Sequence, residues 1–293
     1  MDISPLLFRA RLEKYKKEAK DLVNAFKSGN PDAMRRIKRY HPRLPGRADT
    51  NDRNNLTEAA VRRAKLSLAD AQYIIARGHQ FESWPKFAQH IEALNQKGSP
   101  VWQFEAAVEA IITGDVATLK RLLRGNPELI RTRSTREHDA TLLHYVGANA
   151  IEGYHQKTPK NAVKVANVLL KAGAEVDADL TYSPSMRRRY PERVGSTTLG
   201  MVATSVHPAE AGVQTALLET LLDAGASVDG VPGRWNPLIA ALAPARPAGA
   251  SARAQASSDP ACSATILGGC ARIGTCALAS AVLCCPGSQP CTP

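Results

Sequence analysis

No cysteine occurs between Met1 and Asp259, and all six of the chain's cysteines fall in its last stretch. A fold built over that span uses no disulfide, which fits a reducing compartment. Aromatic residues make up only 5% of the chain, so there are few flat rings on which unpaired bases could stack. Acidic side chains are also scarce, 27 against 38 Lys and Arg. The formal charge of +11 favours acidic partners without choosing between protein, RNA and membrane. Met1 to Ala10 contains Asp2 and Pro5 and has no apolar core followed by a small-residue cleavage site, so it does not read as a secretory signal and a cytoplasmic location is expected. Ile266 to Cys285 approaches the length of a membrane span but holds Arg272 and several small residues, and no membrane partner is expected. Phosphate-cradling Gly-x-x-x-x-Gly-Lys-Ser and Gly-x-Gly-x-x-Gly runs are missing, as is a His-Glu-x-x-His pair.

What the chain does have is helical periodicity. Its 44% hydrophobic content is ordinary for a protein that buries a core. From Leu6 to Phe26, apolar Leu7, Leu12, Tyr15, Ala19, Leu22, Val23 and Phe26 alternate with lysines and arginines, a spacing that predicts an amphipathic helix with one basic face. Gly29 and Asn30 stop it, and Pro31 suits the first turn of a second helix, Asp32 to Tyr40. Two further helices are expected, Thr57 to Arg77 and Trp84 to Gln96, the latter with Ser83 as N-cap. Trp84, Phe87, Ile91 and Leu94 would dock on Ala71, Ile74 and Ile75, with Trp84 as a packing anchor.

Internal repeats begin after Phe104. One segment runs from Ala110 to Leu129, with Leu119, Leu122 and Leu123 on one side, Gly114-Asp115 between helices and Asn126-Pro127 closing the unit. A second opens Thr141-Leu142-Leu143-His144 and ends Leu169-Leu170-Lys171-Ala172-Gly173-Ala174-Glu175-Val176-Asp177. A third opens Thr197-Thr198-Leu199-Gly200 and ends Leu221-Leu222-Asp223-Ala224-Gly225-Ala226-Ser227-Val228-Asp229.

These segments resemble the ankyrin repeat, whose first helix opens Thr-Pro-Leu-His and whose second ends Leu-Leu-x-x-Gly-Ala-x-x-Asn or Asp. The resemblance covers about Phe104 to Leu242 and is carried by Thr141, His144, Leu169, Leu170, Gly173, Leu221, Leu222 and Gly225. Gly173 and Gly225 sit where a helix turns left-handed, Thr141 can cap a helix toward which His144 hydrogen-bonds back, and the paired leucines would fill the seam between units. Leu142 stands where the family has proline and Gly200 where it has histidine, so capping in the third unit must be weaker or made differently. Gly147 to Asn161, Ser183 to Gly195 and Ser205 to Gly212 are insertions relative to the pattern. Ala25 to Leu44 echoes Ala110 to Leu129, which a degenerate repeat and generic helix-turn-helix composition explain equally well.

A fourth unit opens at Asn236-Pro237-Leu238 but its second helix never arrives. After Ala243 there is no lysine or glutamate, and alanine, proline, serine, glycine and cysteine crowd in. The tail, residues 244–293, reads as disordered low-complexity chain or as out-of-frame translation of a GC-rich gene.

The expected fold is therefore all-α: a basic helical region over residues 1–97, then an ankyrin-like α-solenoid with insertions over 98–243. Such an array implies binding of a macromolecular partner, a protein, through its concave face and fingers. Arg187, Arg188, Arg189 and Tyr190, on the enlarged finger, suit an acidic or phosphate-bearing surface. The alternative is nucleic-acid binding by the N-terminal helices, with Lys14, Lys16, Lys17, Lys20, Arg35, Arg36, Lys38 and Arg39 on phosphates, or by a helix-turn-helix offering Lys86, Gln89 and His90. The best catalytic cluster is Glu137-His138-Asp139 with His144, more simply a turn. His207 and Glu210 share a helical spacing but are too few ligands for a metal. No catalytic residue, cofactor or metal is expected.

Overall fold

A computed structural model describes residues 11–42, 44, 57–149, 151–180 and 197–229. Residues 181–196, with Arg187 to Tyr190, lie outside the described residues, as do Asn236 to Leu242 and the whole tail.

The described chain is all-α. Eleven α-helices follow one another: α1 Leu12–Lys27, α2 Pro31–Tyr40, α3 Glu58–Arg62, α4 Leu68–Gly78, α5 Trp84–Leu94, α6 Pro100–Thr113, α7 Val116–Gly125, α8 Ala162–Lys171, α9 Thr198–Thr204, α10 Val206–Glu210 and α11 Gln214–Asp223. Three 3-10 helices, Pro127–Arg131, Leu142–Gly147 and Gly153–His155, stand between α7 and α8. Among the described residues strand-like pairing is limited to isolated antiparallel bridges, Arg133 with Thr141 and Asp179 with Thr197. No described helix is long and apolar enough to cross a membrane.

In α1 the buried residues Tyr15, Ala19 and Leu22 recur at helical spacing, and this stripe packs on α4. Asn30 caps α2, its side chain accepting from the backbone N–H groups of Asp32 and Ala33. The single helix expected over Thr57 to Arg77 is instead two. Ser67 and Asp70 form a reciprocal cap, with Asp70 N–H donating to Ser67 Oγ at 3.1 Å and Ser67 N–H to Asp70 Oδ2 at 2.8 Å, which starts α4 afresh. Ser83 makes no side-chain cap bond, and α5 ends at Leu94, two residues short of the expectation. Trp84 is half-buried and packs as expected against the core around Phe87, the two ring centres 5.5 Å apart; Phe87, Ile74, Ile75 and Ile91 are fully buried within it.

Residues 15–91 contribute one apolar core and residues 104–226 a second. Within the second, α6 packs on Leu142–Gly147, which packs on α9, while α7 packs on α8 and α8 on α11. Leu169 and Leu221 are fully buried, whereas Leu170 and Leu222 are half-buried at the margin of that core. Each leucine pair therefore divides its work between seam and rim.

One backbone turn recurs. After α8, Gly173 (φ +91°) donates to Leu170 O and Ala174 to Leu169 O; after α11, Gly225 (φ +90°) donates to Leu222 O and Ala226 to Leu221 O. This left-handed turn satisfies the last helical carbonyls. The same bond pattern closes α1 at Gly29, α4 at Gln80, α6 at Gly114 and α10 at Gly212; it is a general helix ending and does not by itself separate a degenerate repeat from helix-turn-helix composition in the N-terminal helices.

Candidate functional site

The loop between Pro127–Arg131 and Leu142–Gly147 carries more buried charge than any other part of the described chain. Residues 134, 136, 137 and 138 are all buried, although the segment is polar. Arg136, wholly shielded from solvent, donates from Nη1 and Nη2 to the two carboxylate oxygens of Glu105. Its Nε lies 2.8 Å from Oε1 of Glu152, and the Tyr154 hydroxyl is 3.5 Å from Nη2. The flat guanidinium fork suits this two-sided clamp in a way a lysine could not.

Two histidines complete the shell of Glu152. His138 Nδ1 accepts from Ala140 N–H at 3.0 Å, so Nε2 carries the proton and donates to Glu152 Oε1 at 2.7 Å. His155 Nδ1 stands 3.1 Å from Oε2. A second buried pair, Arg77 with Glu137, ties α4 to the same loop, and Glu137 N–H donates to Gln80 O at 3.0 Å. Two arginines thus meet three carboxylates in the interior.

Aromatic rings wall this cluster. His79 stacks on Phe87 with ring centres 5.2 Å apart, Tyr154 sits edge-on to His155 at 4.4 Å, and the Arg136 guanidinium lies 5.6 Å from the Phe81 ring centre. His90 Nδ1 is 2.8 Å from Thr135 Oγ1.

Burial and charge set the protonation states. Burial alone would raise the Glu105 and Glu152 carboxyls, but the Arg136 guanidinium outweighs it and holds both below the ordinary carboxyl value, Glu152 well below. Burial, then the Arg136 charge, pushes His79 down to about 3 and His90 to about 4, so both are neutral near pH 7. Burial likewise raises the Tyr145 and Tyr154 hydroxyls. Every carboxylate is engaged by a cation, and the arrangement is a sealed clamp between the two cores.

The sequence-derived cluster Glu137-His138-Asp139-His144 is split up. Glu137 faces Arg77 and His138 faces Glu152, while the backbone carbonyl of Asp139 accepts from Arg133. His144 caps the Leu142–Gly147 helix: its Nδ1 accepts from Thr141 N–H at 2.9 Å and its Nε2 lies 2.9 Å from Ala178 O. That reproduces the expected Thr141 and His144 pairing and adds a bridge to the next turn. Before α9 the cap is made differently where histidine is missing: the Thr197 side chain itself caps the helix, its Oγ1 accepting from Gly200 N–H at 3.5 Å. His207 and Glu210 lie 3.9 Å apart, with Glu210 exposed.

The other candidates are scattered. All residues of Leu142–Gly147 and residues 198–203 of α9 are buried, so these helices offer no open inner face. On the N-terminal helices Lys16, Arg35 and Arg36 are paired with Glu13, Asp32 and Glu18, and Lys14, Lys17 and Lys20 are exposed. His90, expected to reach a base edge, is instead buried against Thr135 because it lies on the same face of α5 as Phe87 and Leu94.

Sequence reasoning missed Arg136, Glu105, Glu152, His155 and Arg77. A signal existed for Glu105: it shares a helical face with Val108 and Ile112, both buried, and a carboxylate on an apolar face needs a cation. Comparison of the chain with protein-family models, curated proteins and solved structures finds no match.

Proposed function

We propose that residues 98–243 form an ankyrin-type helical-repeat array and that the chain works as a protein-interaction module, located in the cytoplasm, with no catalytic role of its own. The observation that carries the reading is the identical left-handed turn at Gly173 and Gly225, each following a buried leucine, Leu169 or Leu221, at the same offset. Two rows of helices support it, α6 with Leu142–Gly147 and α9, and α7 with α8 and α11. Units that contact only their neighbours are stabilised by stacking.

Binding by such an array lives on its surface rather than in its fold. Because the Leu142–Gly147 helix and residues 198–203 are buried, recognition falls to the finger that carries Arg187, Arg188, Arg189 and Tyr190, and the partner is a protein with an acidic surface. The test uses the full chain as bait in a cell lysate, beside a variant with Arg187, Arg188, Arg189 and Tyr190 changed to alanine. A specific protein retained by the first and lost with the second is expected. Equal retention by both refutes the finger as the contact, and no specific retention by either refutes the module.

A further inference from the structure

A second surface emerges from the pairing of α7 with α8. Residues 116–127 contain Lys120, Arg121 and Arg124 and no acidic residue; residues 153–174 contain Lys157, Lys160, Lys164 and Lys171 and again none. All seven cations are exposed. None makes an ion pair with a described carboxylate; Arg121 feels only the more distant charge of Asp115, whose own carboxylate accepts from Thr118 N–H at 2.9 Å.

Their placement follows from the helix faces. Leu119 and Leu123 turn inward from α7, as do Val165, Ala166 and Leu169 from α8, which leaves Arg121, Arg124, Lys164 and Lys171 pointing away from the core. Asn161 Nδ2 donates to Gly114 O at 2.9 Å, holding the start of α8 against the α6–α7 turn. Lys164 and Lys171 are about 10 Å apart along one helix, Lys120 and Arg124 about 6 Å along the other, and packed helix axes lie about 8–10 Å apart. The next helix, α11, breaks the pattern with Glu219 and Asp223 exposed, so the positive field belongs to α7 and α8.

We propose that this face binds the phosphate backbone of double-stranded nucleic acid without reading its sequence. Charge complementarity makes the partner a polyanion, and the composition narrows it. Helices α7 and α8 carry no aromatic residue, and Tyr154 and His155, just before α8, are packed on each other and beside Arg136, so the face lacks the stacking platforms single strands require. The exposed large hydrophobics among the described residues, Leu68 and Val206, lie on neither helix. Protein interfaces anchor on aromatic residues and deplete lysine, and membrane-surface helices insert an apolar wedge; this face has neither feature. The surface is independent of the finger proposed above.

Fluorescence anisotropy of a mixed-sequence 20-base-pair DNA duplex, titrated with the full chain across a salt series, tests it. The unaltered protein is expected to bind with affinity falling steeply as salt rises. The variant Lys120→Gln/Arg124→Gln/Lys164→Gln/Lys171→Gln, with an unchanged circular dichroism spectrum, is expected to bind about tenfold or more weakly at 0.1 M salt. Its log–log salt slope should be shallower by about 3 to 4, near 0.9 per lost phosphate contact. Lys120→Arg/Lys164→Arg/Lys171→Arg should bind as the unaltered chain does, as should Lys14→Gln/Lys17→Gln/Lys20→Gln. No duplex binding by the unaltered protein overturns the proposal. So does a loss that follows only the N-terminal variant, or a quadruple variant that loses binding to vesicles containing phosphatidylserine while keeping the duplex.

Discussion

The Arg136 guanidinium grips both carboxylate oxygens of Glu105 where neither side chain is open to solvent. Glu105 sits on α6, at the start of the second core, while Phe81, whose ring centre lies 5.6 Å from the Arg136 guanidinium, belongs to the first. The ion clamp is thus also the joint. Arg136→Ala leaves Glu105 and Glu152 buried without their cation, and a loss of about 3–5 kcal/mol is expected in urea unfolding. A double change, Arg136→Met with Glu105→Gln, should cost less than the sum of its single changes, because it removes one of those stranded charges; additive losses would refute the clamp.

Acid should weaken the fold in two steps. Unfolded histidine takes a proton near pH 6.5, but His79 resists until about 3 and His90 until about 4. Their contribution is complete above pH 6.5 and drains away as pH falls toward those values, about 2 kcal/mol for each between pH 7 and 5. Below about pH 4.5 Glu105 and Glu152, whose folded values lie lower still, add a second loss with the same sign. Urea midpoints measured from pH 8 to pH 4 give the curve, and His90→Gln should flatten the first step. A pH-independent midpoint between 7 and 5 would contradict the neutral buried histidines.

Leucines within each pair should separate. Leu169→Ala and Leu221→Ala, at fully buried positions, are expected to cost about 2–5 kcal/mol. Leu170→Ala and Leu222→Ala, half-buried, should cost less in the same denaturation assay. Equal losses across the four would show that the seam is not where the burial places it.

His144→Ala removes the partner of Thr141 N–H and of Ala178 O in a buried setting, for about 1–3 kcal/mol. Gly147→Ala should be poorly tolerated for a different reason, since a Cβ there would come within 2.7 Å of Met201 Cβ. About 1–3 kcal/mol is expected from the overpacking, read as a fall in the thermal midpoint, with Gly153→Ala, in open space, as the silent control.

Much of the helical framework was legible because it is local. Pro31 and Asn30 mark the start of α2 in sequence and in space, and the Leu-Leu-x-Ala-Gly-Ala endings encode a turn whose bonds span five residues or fewer. The break at Ser67 was equally local, a capping box with Asp70, obscured by the apolar periodicity running through it. The charged clamp was not legible, because it joins Arg136 to partners 31 and 16 residues away through an insertion that reads as an ordinary polar loop. Nothing in Glu152 to His155 announces burial until the surrounding helices are placed. The basic face of α7 and α8 fell between these cases: each lysine is visible in sequence, but only the contact of the two helices gathers them.

Native-state hydrogen exchange on the Leu169→Ala chain tests most directly whether the helices from α6 to α11 are stabilised by burying one another in series. Protection should fall most in α8 and in its packed neighbours, the Leu142–Gly147 helix and α11, and less in α2. An α11 that keeps its full protection while α2 loses as much as α8 would contradict the stack.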